Sequence, residues 1–220
     1  MQTYVIIGFV SLLVVFLITK GIYLLLQSKL RQRDLSDWCE ANHFSFSRKS
    51  NEFLDNSAKE ISQVSEGRDQ IIFNVLTGRV GGLDVTLFDC EYTTGSRGTN
   101  STQNVQTVIR LQCDELELPK FTLTRQVLLH NLAMGFGLQD INFDSHPSFS
   151  KQYLLRGANE NAVRELFTSR VLEFYEQRSR FGTLADGDCF FLWQDQTRIR
   201  VKDLDASLKQ GIELAGLFKA

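Results

Sequence analysis

Proline is nearly missing from this chain, with two residues in 220. Together with 17 phenylalanines, that scarcity argues against a linker-rich chain and for well-formed helices and strands. Histidine is scarce as well: only His43, His130 and His146 are present. The four cysteines, Cys39, Cys90, Cys113 and Cys189, stand far apart and form no C-x-x-C pair. Two disulfides are possible by arithmetic, whereas a cytoplasmic domain would keep all four thiols reduced. Neither sign of charge is in excess: 24 Lys and Arg against 26 Asp and Glu leave a net charge of -2. A nucleic-acid-binding domain would usually be strongly basic, so nothing in the balance suggests that class. No G-x-S-x-G, P-loop or G-x-G-x-x-G occurs, and Gly135-Phe136-Gly137 lacks both a third glycine and a preceding strand.

Charge is also absent from the first 19 residues, where a long apolar run begins. Residues 4–26 contain sixteen Leu, Ile, Val or Phe and one charge, Lys20. As a helix they span about 34 Å at roughly 1.5 Å per residue, enough for the roughly 30 Å hydrocarbon core of a bilayer. Lys20 is off centre, and its stem can carry the ammonium to the nearer interface. A cleaved signal peptide would need basic residues before the run and a small-residue site after it, and neither is present. Apolar residues all round the helix also argue against a buried core helix. Downstream lie Lys29, Arg31 and Arg33. By the positive-inside rule they place the C-terminal side in the cytoplasm, as topology determinants and not as a lipid-specific site. The expected organisation is an anchor with its basic juxtamembrane segment at 1–33 and a soluble domain at 34–220, divisible into subdomains 34–138 and 139–220.

Within the soluble part, residues 34–43 read as a short polar helix of their own, capped by Asp34 or Ser36. Residues 44–47 alternate as a strand, and 50–66 are weakly patterned. Ile71, Phe73 and Val75 alternate before a Gly81-Gly82 turn. The next strand, 83–92, carries Leu83, Val85 and Leu87 on one face and Phe88, Cys90 and Tyr92 on the other, so either both faces are covered or a bulge switches them. Residues 93–104 read as a long polar hairpin loop, and 105–111 as its return strand. Another strand follows Pro119, then a helix over 125–134. Phe149, Lys151, Tyr153 and Leu155 alternate as a strand. Asn159 is a candidate cap for an amphipathic stripe through 177, which Thr168-Ser169 can break in two. Residues 189–193 and 197–201 pair around a turn, and Asp203 caps a final helix. The pattern predicts an α+β domain: a mainly antiparallel sheet packed with helices.

Two stretches, LFDCEYTTGSRGTNSTQNVQTVI from Leu87 and FDSHPSFSKQYLLRGANENAVRELF from Phe143, cover about a quarter of the chain. They resemble, in the same order, the blocks of a family of uncharacterised bacterial single-pass membrane proteins. In that pattern an FDY-x-Y-T-x-G-S hairpin precedes a Q-T strand, and FS-x-x-YLLRG precedes an A-V-R-x-LF helix. Cys90-Glu91 stand here where the family has Tyr-Arg, and Lys151-Gln152 replace its usual basic pair. The resemblance implies a bacterial inner-membrane setting and carries no activity or catalytic residues.

Few residues carry chemistry. Cys39 and His43 are four apart, one edge of a zinc site without a second pair. Asp144, Ser145 and His146 cluster before Pro147, as turns do for backbone reasons. Arg198, Arg200 and Lys202 alternate, as on a solvated edge strand or a surface for lipid headgroups or an acidic partner. Asn100-Ser101-Thr102 forms a glycosylation sequon that has no role in a bacterial cytoplasm. No cofactor, metal or catalytic set is assigned. Two function classes follow. The first is a membrane-tethered binding or scaffold module with a protein partner and the bilayer, through 4–26, as its contacts. The second is a membrane-anchored enzyme with a site assembled from Asp89, Asp144 and His146. Convergence of those three in one pocket would favour the enzyme.

Overall fold

The computed structural model of the chain describes residues 2–50, 54, 56, 67–95, 101–126, 140–178 and 180–219, and gives no side-chain description for 2–11. Residues 127–134 of the helix expected over 125–134, Gly135 and Gly137, His130, Asn100 and most of 50–66 therefore lie outside the described residues, while Arg125, where that helix is expected to begin, ends a strand.

A single helix, α1, runs unbroken from Gln2 to Ala41. It contains no proline and only two glycines, so nothing interrupts its ladder. The stretch from Leu12 has a mean hydropathy of 1.6 and is long and apolar enough to cross a membrane, with none of its apolar window buried. Residues 34–43 are thus not a separate capped helix. Residues 34–41 are the last turns of α1, which has no break at Asp34 to cap, and 42–43 form the turn beyond it. It ends in a Schellman turn: His43 takes φ +59, the Phe44 amide donates to the Cys39 carbonyl at 2.8 Å, and the Phe44 ring packs 5.1 Å from Trp38.

Among the described residues eight strands follow: β1 (Ser45–Lys49), β2 (Arg68–Val80), β3 (Leu83–Thr94), β4 (Thr102–Gln112), β5 (Leu118–Arg125), β6 (Tyr153–Gly157), β7 (Phe181–Gly187) and β8 (Cys189–Gln194). They form one antiparallel sheet in the order β1-β2-β3-β4-β8-β7-β5-β6. Strands from 34–138 and 139–220 interleave in it, because β8 pairs with β4 and β5 sits between β6 and β7. The expected α+β class is the observed one. Gly81 and Gly82, at φ +58 and +84, make the two-residue turn between β2 and β3, where left-handed backbone matches strand twist. The β3–β4 ladder is regular from Asp84↔Gln112 to Thr94↔Thr102. Both faces of β3 are therefore covered, and the loop expected over 93–104 contracts to 95–101, of which 96–100 lie outside the described residues.

Helices cover one face of the sheet: α2 (Pro147–Gln152), α3 (Glu160–Leu166), α4 (Ser169–Gln177) and α5 (Leu204–Phe218), together with the end of α1. The stripe through 177 breaks at Thr168 as expected, and Asn159 caps α3 by accepting from the Ala162 amide at 3.2 Å. Rings of Phe121, Phe143, Phe149, Phe167, Tyr175 and Phe218 fill this core. The opposite face gathers Ile72, Val75, Phe88, Tyr92, Val108, Phe191 and Trp193 under Leu54.

Two expected strands are not strands. The alternation at 149–155 splits into α2, with Pro147 in its first turn, and β6: Phe149 closes onto the core from a helical turn and Tyr153 from a strand. Residues 197–200 follow the turn after β8 without regular structure and lead into a single 3-10 turn, Val201–Asp203, before α5. The partner of β8 on that side is β7, whose Gly182 leaves room for Trp193: a Cβ there would lie 2.3 Å from the indole.

Candidate functional site

The strongest polar constellation lies under α1, around Asp89. In β3, Leu83, Val85 and Leu87 face the helices, and Asp89 continues that row at 1% exposure. Alternation alone therefore puts a carboxylate into an apolar core, where it must be paired or protonated. Four elements supply the pairing. Arg31 of α1 forks onto it, with Nε 2.9 Å from Oδ2 and Nη2 2.8 Å from Oδ1. Arg198 reaches Oδ2 from Nε at 3.1 Å and Nη2 at 2.9 Å, while its guanidinium lies 5.5 Å over the Phe73 ring. Thr107, the cross-strand partner of Asp89 on β4, donates its hydroxyl to Oδ1 at 2.8 Å.

The fourth partner, Asn74, depends on a bulge. Between Phe73↔Asp89 and Leu76↔Leu87, β2 carries one extra residue, and Asn74 sits there at φ +54, a conformation asparagine tolerates. Its Nδ2 donates to Asp89 Oδ2 at 2.9 Å. The face switch considered for β3 thus occurs in β2, moving Val75 to the face opposite Leu76. Asn74 Oδ1 stays buried without a partner.

The cluster also ties α1 to the 197–200 segment. Arg31 Nη1 donates to the Ile199 carbonyl at 2.7 Å, and the Ile199 amide donates to Thr107 Oγ1 at 3.0 Å. Burial pushes the Asp89 carboxyl up, but the hydrogen bond and charge of Arg31, the charge of Arg198 and the Asn74 hydrogen bond outweigh it and hold the group below the usual carboxylate range. The surrounding crevice, lined by Arg31, Leu35, Leu87, Leu204 and others, has no room for a water molecule. A carboxylate so saturated with donors, and so poor a base, suits a clamp better than proton transfer.

Arg31 is therefore not simply one of three cations that follow the apolar run. The basic stripe is also dispersed: Arg198 binds Asp89, exposed Arg200 pairs with Asp203 at 2.5 Å, and Lys202 is exposed on the 3-10 turn. An edge strand would have put them on one face, but residues 197–200 form no strand.

Asp89, Asp144 and His146 do not converge. The segment 140–141 lies beside β6, where the Ile141 amide donates to the Leu155 carbonyl. Five strand spacings separate β3 from β6, or about 24 Å at roughly 4.8 Å each. Asp144 is exposed and His146 half-buried at the start of α2. Ser145 Oγ lies 3.0 Å from His146 Nδ1, and no hydrogen bond among the described residues joins Asp144 to that ring. The turn is held by its backbone and by Ser150, whose hydroxyl accepts from the Phe143 amide at 2.9 Å. Cys39 is buried, its thiol pushed up by burial to about 11, while His43 is exposed on the turn beyond the helix. Among the described residues no three His, Cys, Asp or Glu side chains gather at metal-binding spacing.

The other open hollow near α1 holds about 710 Å³ and is lined by Lys29, Gln32, Arg33, Ser36 and Asp37 of the helix and by Phe46 and Arg48 of β1. No family model, no curated protein and no solved structure matches the chain.

Proposed function

We propose that this protein is a membrane-tethered binding or scaffold module. On this reading α1 spans a bacterial inner membrane through residues 4–26, and the α+β domain stands in the cytoplasm against the leaflet, presenting surface to a protein partner within a larger inner-membrane assembly. The observation that supports it is the Arg31–Asp89 fork. It locks the helix that carries the apolar run to the centre of the sheet, so the anchor is a structural part of the domain and not a tether on a linker. A protein whose task is to hold a surface at a fixed place and angle needs that continuity. The separation of Asp89 from Asp144 and His146 supports the same reading over an assembled catalytic site.

The test is capture of partners from membranes in mild detergent, with the full chain as bait, followed by mass spectrometry. A reproducible partner retained by the Asp144→Asn and His146→Ala variants is the expected result. Loss of the cellular phenotype in those variants, with fold and partners intact, would replace this reading with the enzyme.

A further inference from the structure

The clamp at Arg31 fixes the rotation of α1 about its axis. At roughly 100° per residue, positions two removed from Arg31 point about 200° away, to the opposite side of the helix. Lys29 and Arg33 are those positions. With Gln32, Ser36 and Asp37 they form one stripe, spaced by three and four, that faces away from the core. Across from the stripe, Phe46 and Arg48 of β1 project two residues apart from one face of the edge strand. The hollow of about 710 Å³ lies between them. Three cations and one carboxylate line it. Asp37 approaches only Arg33, at 4.0 Å with both side chains largely exposed, and among the described residues Lys29 and Arg48 make no ion pair.

Its height along α1 is equally specific. The last apolar triplet is Leu24, Leu25 and Leu26. Lys29 stands about 5 Å and Arg33 about 10 Å further along the helix, at roughly 1.5 Å per residue. The polar headgroup layer of a bilayer is about 5–8 Å deep on each side. Lys29 therefore sits at headgroup depth and Arg33 just beyond the layer, with Arg48 lining the same hollow.

We infer that the hollow between α1 and β1 binds the phosphate headgroup of an anionic phospholipid, held between Lys29 and Arg33 on the helix and Arg48 on the strand. The inference rests on the reading that α1 crosses a membrane. Arg48 distinguishes it from general attraction of a basic segment to an acidic surface, since it comes from a different element and lines the hollow across from the helix.

The experiment uses the full chain purified in a zwitterionic detergent and reconstituted into vesicles of phosphatidylcholine alone or with one-fifth phosphatidylglycerol, followed by native mass spectrometry of the extracted protein. The expected result is one retained phosphatidylglycerol, preferred at least fivefold over phosphatidylcholine. Arg48→Gln and Lys29→Gln each reduce that preference severalfold, Arg200→Gln leaves it unchanged, and 10 mM inorganic phosphate does not displace the lipid. Equal retention of the two lipids, or undiminished retention in Arg48→Gln, overturns the headgroup site. Displacement by inorganic phosphate overturns the lipid as its occupant. Failure of the chain to enter phosphatidylcholine vesicles at all overturns the membrane reading beneath it, and so is told apart from failure of the site alone.

Discussion

Asp89 shows how a residue's worth depends on its partners. Asp89→Asn leaves two guanidiniums facing each other across a buried site. Removing one member of such a cluster costs about 3 kcal/mol, the lower end of the usual range because the Arg198 side chain is a third exposed. Arg198→Gln should cost only about 1 kcal/mol. Both follow from urea melts of the purified chain. Because the folded carboxyl titrates below its unfolded value, its contribution is present above the ordinary carboxylate range and disappears as pH falls through the lowered folded value. The wild-type and Asp89→Asn melting curves should therefore converge in strong acid. Asp195 behaves in the opposite sense. Burial pushes its carboxyl up to about 6 despite a 3.1 Å hydrogen bond from Trp193 Nε1, and its Oδ2 has no partner. The folded state holds that proton more tightly than the unfolded one, so stability is lost as pH rises from about 4 to 6. Asp195→Asn should stabilise the protein at pH 7.5 by up to about 2 kcal/mol, and the gain should vanish below pH 4. Sequence could nominate Asp89 but not its role. Its partners stand 58 and 109 residues away, and Arg31 looks like any other juxtamembrane cation.

At the scale of elements, local pattern was readable wherever one face of an element is buried. The β2–β3 turn, the return strand β4, the break at Thr168, the Asn159 cap and the last helix all follow from periodicity and turn chemistry. The errors have physical causes. The end of α1 looked independent because its polar exposed stripe hid a buried one, Leu35, Trp38 and Cys39. The strand β7 escaped notice because Phe181–Gly187 carries two glycines, one needed to admit the Trp193 ring. Residues 198–202 alternate in charge, yet Arg198 turns inward and pairing never forms. Gly78 tests the join between α1 and the sheet. A Cβ there would lie 2.6 Å from the Phe44 ring that staples the helix end. Gly78→Ala should thus destabilise by about 2 kcal/mol, since the ring must leave its seat against Trp38. The same melts, with tryptophan emission as the probe, would show it, and an unchanged midpoint would mean the staple yields freely.

Over the whole molecule, the class was legible and the strand order was not. The alternation of each strand says which face is buried but nothing about its neighbour, and here β8 pairs with β4 across more than seventy residues. The four cysteines are free, two buried and two half-buried. Thiol titration of the denatured chain without reductant should find four. In the native protein Cys113 and Cys189 should react before Cys39 and Cys90, whose thiols burial pushes up to about 11 and about 12. A count of two or none would contradict a reducing compartment. Orientation has its own check: a fluorescent protein that matures only in the cytoplasm, fused after the C-terminus, should be bright, and a dark fusion would reverse the topology.

On the reading that α1 crosses a membrane, its unbroken run from the apolar stretch to the edge of the sheet makes the protein a lever with its fulcrum in the bilayer. Neither proline nor glycine lies between Leu26 and Arg31, so the continuous helix carries a change of inclination on to the domain. Six strand spacings separate β2, beside the helix, from the far edge at β6, roughly 30 Å of arm. Helices respond to a thinner membrane by leaning, and a lean of about 20° would carry that edge roughly 10 Å toward or away from the surface. Membrane thickness would thus be converted into the standoff at which the distant edge meets whatever lies beside it.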